Sequence, residues 1–443
     1  LGAGSVISPA PRLEYLLLGN PDYDAMRTAG FPAAGYVAGI EVLDPEAGQP
    51  TGQWSFDLPD TGFLMPGDVL HYLIVATEAG PGGTTLTFLP ADTTGFHDFS
   101  SLLAYDMDFT VRALPGVTDP FAKTVITTGG PALFWFDADD PSGLEAWVSA
   151  LDLIADDPFF STFSYDLFLT RDPASGLGNG LGGRASPELL DNYGTVLYSC
   201  GNESFRTLAQ PSLGDDPSDD VGLLVAWLEG DHKKLFLTGD NLAADLQNSV
   251  EGAMFAQDVI GVSLQTDDVR PFIDNQTSPR VVPVPAAGLF LETPAWIAYG
   301  GCLEINRFDG VQPASGGVPA AQFTDPAGIA DVYPYAAAVV NETADDLVIS
   351  LPYDLMFVYT DPGTPPPQPP LSARQALLGD VLHAFMYMWG PVGGIPPAAG
   401  PLAAISHPNP FNPRTTISYG VREAGHLTVK VFDVRGALVR TLL

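Results

Sequence analysis

Hydrophobic and polar positions alternate over short stretches in the first quarter of the chain. Gln53-Trp54-Ser55-Phe56-Asp57-Leu58, His71-Tyr72-Leu73-Ile74-Val75-Ala76 and Tyr105-Asp106-Met107-Asp108-Phe109-Thr110-Val111 are alternating or β-rich apolar runs. Asp60-Thr61-Gly62 and Met65-Pro66-Gly67-Asp68 supply turn chemistry between them. Short strands at this spacing predict a β-sandwich over residues 1–116. The pattern then changes. Apolar runs at Ala132–Asp137, Tyr165–Thr170, Thr195–Cys200 and Lys234–Asn241 read as strands buried on both faces. Helical spacing follows the first at Leu144–Ile154, the third at Asp219–Leu228 and the fourth from Leu242 to about Ile260. Strand and helix in alternation predict an open, mostly parallel sheet covered by helices, over residues 120–393.

Residues 265–345 are rich in Pro and Gly and read as an insertion with short strands such as Gly288–Leu291. Asp346–Pro352 is then the last strand, and Ser372 caps a last helix from Ala373 to about Met388. Residues 391–404, rich in Gly, Pro and Ala, read as a linker. Residues 405–443 begin a final β module. Its three-proline collar suits the entry to an edge strand, and Asp433-Val434-Arg435-Gly436 suits a hairpin turn. The expected whole is multidomain α/β plus all-β, a central sheet flanked by immunoglobulin-like sandwiches, the last of them incomplete.

Charge sharpens these boundaries. The chain of 443 residues has 18 Lys/Arg against 53 Asp/Glu, a net charge of -35. A field of that sign repels nucleic acid and anionic lipid, so neither is an expected partner. It suits a secreted protein, a saline medium or Ca²⁺ binding. From Ile405 to Leu443 the balance reverses, with five Lys/Arg against two acids, a net of +3, leaving -38 for the remainder. No apolar run reaches the ~18 residues that a membrane-spanning helix needs. The chain opens on Leu without a signal-peptide pattern, which reads as a processed form or a fragment.

The last module carries the most specific motif. Asn409-Pro410-Phe411-Asn412-Pro413, then Thr416, Ile417 and Tyr419, then Val429, Val431 and Asp433, then Gly436, Val439 and Leu442, fall in order. This pattern closely resembles the start of the type IX secretion sorting domains and the related FlgD-like immunoglobulin-like domains of secreted bacterial proteins. The resemblance covers about 35 residues. It implies a bacterial protein, secreted or held at the cell surface, that meets the secretion machinery through this module. Family members continue for several more strands. The remainder is therefore either absent from this chain or supplied by another copy through strand complementation. The stretch around Pro66-Gly67-Asp68-Val69-Leu70-His71-Tyr72 loosely resembles fibronectin-III or immunoglobulin-like accessory modules.

The central domain weakly resembles glutamine-amidotransferase-like and caspase/gingipain-like α/β folds. In those enzymes a cysteine sits at the carboxyl end of a strand, where Tyr198-Ser199-Cys200-Gly201-Asn202 stands here. A nucleophilic Cys200 needs a base, and His232 and His383 are the candidates. The amidotransferase G-x-C-x-G elbow and the caspase-type His-Gly dipeptide are both missing. The other reading is a buried Cys200, or a disulfide between Cys200 and Cys302, the two cysteines of the chain. Asp137, Asp139 and Asp240 follow apolar strands and could share a crevice that holds Ca²⁺; no other cofactor is expected. The glycine-rich 176–183 stretch lacks the spacing of a phosphate loop. The favoured function is non-catalytic, structural or adhesive, as a possible subunit of an extracellular assembly. The alternative is a cysteine hydrolase using Cys200.

Overall fold

The computed structural model describes residues 6–7, 9–27, 32–44, 48–58, 63–80, 83–101, 103–116, 132–136, 141–155, 165–170, 187–202, 207–208, 210, 218–230, 232–272, 278–299, 307–324, 332–343, 346–363, 372–385, 403–407, 416–420, 430–432 and 438–441. The chain divides into two compact units, Leu1–Leu382 and His383–Leu443.

The first unit opens with β1 (Val6–Ile7), β2 (Arg12–Leu18), β3 (Ala34–Ala38), β4 (Ile40–Leu43), β5 (Pro50–Ser55), β6 (Val69–Gly80), β7 (Gly83–Leu89) and β8 (Thr110–Arg112). Six of these form one antiparallel sheet, while β4 and β5 pair only with each other. Alternation decides the faces. Leu13 and Tyr15 of β2 pack with Leu70 and Phe63 on one side. Leu73 and Val75 of β6 pack with Phe96 and Tyr105 on the other. Each face is thus covered by residues outside the strands. The run expected to be a strand at Tyr105–Val111 becomes one only at Thr110. The Asp106 carboxylate accepts from Asp108 N and turns Met107–Phe109 into a 3₁₀ turn.

Among the described residues the central sheet has twelve strands. They are β9 (Ala132–Phe136), β10 (Tyr165–Leu169), β11 (Thr195–Ser199), β12 (Lys234–Thr238), β13 (Val262–Thr266), β14 (Arg280–Pro283), β15 (Trp296–Ala298), β16 (Gly310–Pro313), β17 (Val318–Thr324), β18 (Val332–Glu342), β19 (Leu347–Leu351) and β20 (Val358–Thr360). The helices are α1 (Pro141–Ala155), α2 (Pro187–Leu190), α3 (Asp220–Leu228), α4 (Leu242–Leu246), α5 (Val250–Met254) and α6 (Ala373–His383). Strands β10, β9, β11, β12 and β19 lie side by side and parallel. Leu133, Trp135, Tyr198 and Leu237 face α3 and α4. On the opposite face Phe134 stacks on Trp147 of α1, with ring centroids 4.8 Å apart. Burial on both faces explains the unbroken apolar runs of these strands.

Beyond β19 the sheet turns antiparallel, through β18, β17, β14, β15 and β20. The expectation of a mostly parallel sheet with an inserted 265–345 stretch is corrected here. That stretch builds the antiparallel part of a mixed sheet. Its prolines disguised the strands: Pro283 and Pro313 end β14 and β16, and the β17–β18 register shifts at Pro319. Such positions tolerate a missing N–H. The expected strand at Gly288–Leu291 is not one, because Gly288 closes a 3₁₀ turn at φ 68. The expected helix from Leu242 to Ile260 breaks at Ser249, whose hydroxyl accepts from Gly252 N and starts α5, which passes into a π-helical turn at Phe255–Ile260. Ser372 does cap α6. Its hydroxyl accepts from Gln375 N at 3.2 Å while Gln375 Oε1 accepts from Ser372 N at 2.9 Å, a reciprocal capping box.

Among the described residues the second unit contains two antiparallel pairs, β21 (Ala403–His407) with β22 (Thr416–Gly420), and β23 (Lys430–Phe432) with β24 (Leu438–Thr441). β21 begins inside the expected linker. Thr416 and Tyr419 lie on β22. Asn409, Pro410, Phe411, Asn412 and Pro413 lie outside the described residues. Among the described residues no helix is long and apolar enough to cross a membrane.

Candidate functional site

The carboxyl edge of a parallel sheet is where α/β proteins place ligands, because the strand-to-helix turns converge there. Here β11 runs into Ser199-Cys200-Gly201, β12 into Gly239-Asp240-Asn241, and β19 into Pro352-Tyr353-Asp354. Ser199 and Thr238 stand opposite each other in the β11–β12 ladder, and Thr238 stands opposite Leu351 in the β12–β19 ladder. The three strand ends are therefore level.

Asp354 joins them. Its carboxylate is fully buried. One oxygen accepts from Ser199 Oγ at 2.5 Å and Thr238 Oγ1 at 2.7 Å. The other accepts from Trp147 Nε1 at 3.0 Å and Met356 N at 2.9 Å. Four donors from β11, β12, α1 and its own turn thus meet in one carboxylate. Ser199 Oγ also accepts from Gly201 N at 3.1 Å, which holds the turn that carries Cys200. With four donors on its two oxygens and no exposed surface, this carboxyl group ties the three strand ends and α1 together.

Cys200 is buried within the core cluster that includes Trp135, Tyr198 and Leu242. Its Sγ lies 3.4 Å from Thr238 O, in the geometry of a weak thiol donor. A Cβ built on Gly239 would overlap that sulfur, so the glycine at this position makes room for it. The sulfur therefore points under the β12 turn. Cys302 lies outside the described residues, and the disulfide expectation goes with it.

The turn after β12 passes through a left-handed residue. Asn241 takes the left-handed conformation at φ 55 and ψ 22 and leads into α4. The segment Arg307–Asp309 lies across it. Arg307 N donates to Asp240 Oδ1 at 2.6 Å, and Asn241 N donates to Arg307 O at 3.0 Å. Asp309 accepts from Ala243 N at 2.6 Å and Ala244 N at 3.3 Å, capping α4. Asp309 N donates back to Pro352 O at 3.2 Å. Asp309 is fully buried, and that burial holds its carboxyl well above the usual range; Asp240 and Asp267 add to the effect, and the two α4 amides oppose it. The same strap is steadied at Phe308, whose ring lies 4.9 Å from the Arg270 guanidinium and whose carbonyl accepts from Val269 N at 2.7 Å.

The structure does not bring His232 to Cys200. His232 precedes β12 at its amino end, where Lys234 stands opposite Thr195, whereas Cys200 follows β11 at the carboxyl end. The five-residue strand and its flanks separate them by roughly 20 Å at ~3.3 Å per residue. His383 ends α6, where burial holds its imidazole below its ordinary value. Asp137 and Asp139 lie outside the described residues, as does the glycine-rich 176–183 stretch. Asp240 stands at the carboxyl edge as expected, with its carboxylate on Arg307 N. Among the described residues no three His, Cys, Asp or Glu side chains gather as a metal site.

Sequence reasoning missed Asp354, Asp309 and Trp147. Asp354 had a signal, a carboxylate three residues beyond an apolar strand, as Asp240 stands two residues beyond one. Asp309 had none, because its segment belongs to no strand or helix.

No family model matches this chain. No curated protein matches it either. Among solved structures it is similar to a ThuA-like protein from Bacteroides uniformis, with 10% identity and a TM-score of 0.33, over 59% of this chain and 93% of that one. It is also similar to a carbohydrate deacetylase, with 14% identity and a TM-score of 0.26, over 52% of this chain and 29% of that one. A third is an exo-β-1,4-mannosidase from Opitutaceae bacterium strain TAV5, with 10% identity and a TM-score of 0.29, over 51% of this chain and 32% of that one.

Proposed function

We propose that this chain is a non-catalytic structural or adhesive protein of the bacterial cell exterior. The observation that carries the reading is the Asp354 network. At the edge where an α/β enzyme keeps its reacting groups, this chain spends Ser199, Thr238 and Trp147 on one buried carboxylate. The Arg307–Asp309 strap covers the neighbouring turn. A cysteine hydrolase needs an accessible sulfur with a base in hydrogen-bond reach. Cys200 is buried under Gly239, and His232 belongs to the other end of the sheet.

In this reading the N-terminal antiparallel sheet and the C-terminal strand pairs are immunoglobulin-like accessory modules. The Asn409–Tyr419 motif addresses the protein to a secretion route. The net charge of -35 keeps it off nucleic acid and anionic lipid. Two measurements test the reading. Purified chain, offered peptide, ester, amide and saccharide substrates, turns over none of them. Protease applied to intact source cells removes the protein from their surface. Turnover that disappears in Cys200→Ala would overturn the non-catalytic reading, and full protection from protease would overturn the exterior location.

A further inference from the structure

The edge strand β7 shares its lack of charge with β3 and β5, but of these three it alone is exposed at every position. It reads Gly-Thr-Thr-Leu-Thr-Phe-Leu, without one charge, in a chain that holds 53 acidic residues. All seven of its residues are exposed. Leu86 is 52% exposed, Phe88 39% and Leu89 54%. It pairs with β6 in unbroken register from Ile74↔Leu89 to Gly80↔Gly83. Among the described residues no strand pairs with its other side. Folded proteins usually blunt such an edge with a charge, a proline, a bulge or a cover, since its unpaired N–H and C=O groups are a template for another strand. Among the described residues β7 has none of the four.

Charge decides which strand suits it. Residues 1–116 hold three Arg against fourteen Asp and Glu, a net of -11. Two such units meeting edge to edge would repel each other. The stretch from Ile405 to Leu443 has the opposite sign, with five Lys/Arg against two acids, a net of +3. Its described strands stand in two-stranded pairs, each with an outer edge, and Arg440 on β24 is exposed.

We propose that β7 is a strand-pairing edge for the basic C-terminal module of a second copy of this chain. The two sides of that contact are different surfaces, so it is heterologous and joins copies head to tail, into a ring or an open array. Backbone ladder bonds join the copies, Leu86 and Phe88 pair across the strands, and opposite charge steers the approach. The inference rests on the structural reading above and names its partner.

Light scattering on the full chain tests it, across protein concentration and between about 0.1 and 1 M salt, where the screening length falls from roughly 10 to 3 Å. The wild-type chain should exceed 46.8 kDa by integer multiples at low salt and shrink as salt rises. Leu86→Lys with Phe88→Lys should keep the mass of one chain, with its circular dichroism and urea midpoint unchanged. Lys430→Glu with Arg440→Glu should raise the concentration needed for assembly at least about tenfold, the scale of one or two cross-strand pairs. A wild-type chain of single mass throughout overturns the proposal, as does assembly of the β7 variant like wild type. If the β7 variant is monomeric while the charge-reversed variant assembles unchanged, β7 pairs with its own copy and the named partner is wrong. Hydrolytic activity through Cys200 would sink the structural reading without touching these masses, so the two failures can be told apart.

Discussion

Replacing Asp354 by Ala removes the acceptor for four donors at once. The donors do not suffer equally. Thr238 Oγ1 already lies 3.4 Å from Tyr198 O and can turn to it. Ser199 Oγ can rotate. Trp147 Nε1 and Met356 N are fixed by ring and backbone and cannot turn away. A stranded buried N–H costs about 1–3 kcal/mol, which applies in full to Trp147 and at its lower end to the part-buried Met356 N–H. The lost desolvation cost of an ionised carboxylate offsets part of that sum. The expected net loss for Asp354→Ala is therefore about 2–4 kcal/mol. Asp354→Asn keeps one oxygen for Trp147 and Met356 and turns its amide toward two hydroxyls that can accept, so its cost should stay near about 1 kcal/mol. Urea unfolding followed by far-ultraviolet circular dichroism measures both. The reasoning is refuted if Asp354→Ala lies within about 0.5 kcal/mol of wild type, the scale of an ordinary surface change. It is refuted equally if the Asn variant is the less stable of the two.

Two further predictions concern buried neighbours. Gly239→Ala drives a Cβ into Cys200 Sγ, and overpacking of this kind costs about 1–3 kcal/mol; adding Cys200→Ala should recover much of it in the same urea assay, and no recovery would mean that the glycine serves something else. Asp380 on α6 accepts from Thr293 Oγ1 at 2.6 Å and Thr293 N at 2.9 Å, yet burial pushes its carboxyl up to about 6. The folded state therefore holds this proton more tightly than the unfolded chain does, so this group's contribution to stability falls as pH rises from about 4 to about 6 and is level above that. Asp380→Asn keeps an acceptor and carries no titration, so it should gain on wild type by up to roughly 3 kcal/mol between acid and neutral pH. Equal pH slopes for the two proteins would refute this.

The parallel half of the central sheet was legible because burial on both faces leaves an unmistakable record. Ala132–Phe136, Thr195–Ser199, Lys234–Thr238 and Leu347–Leu351 are dominated by buried apolar residues, and each is a strand; Tyr165–Leu169, at the sheet's edge, is a strand too but carries Asp166 and is half-buried. The antiparallel half was hidden. There Pro283, Pro313 and Pro319 occupy strand ends and a register shift, places where proline costs little, and composition alone reads them as loop. Alternation misled at Tyr105–Val111, since an Asp-turn repeats polar residues at the same interval as a strand. The candidate site was half legible. Cys200 and Asp240 stand at the expected edge because strand ends can be read from the pattern. Their commitments could not be, since Gly239 and Arg307 meet them only through the fold. His232 looked available in sequence, and only the register of β11 against β12 places it at the wrong end.

The central claim is that, among the described residues, the carboxyl ends of β11, β12 and β19 are filled by the protein's own groups, Asp354 and the Arg307–Asp309 strap. Alkylation of Cys200 in the reduced, native chain tests it most directly, with labelled peptides resolved by mass spectrometry so that Cys302 is scored separately. The account predicts that Cys200 stays unlabelled until denaturant unfolds the chain, with a midpoint that tracks circular dichroism and moves lower in Asp354→Ala. Rapid labelling of Cys200 in the folded protein, without denaturant and without change on mutating Asp354, would contradict it, because the sulfur would then stand in an open crevice where chemistry could be done.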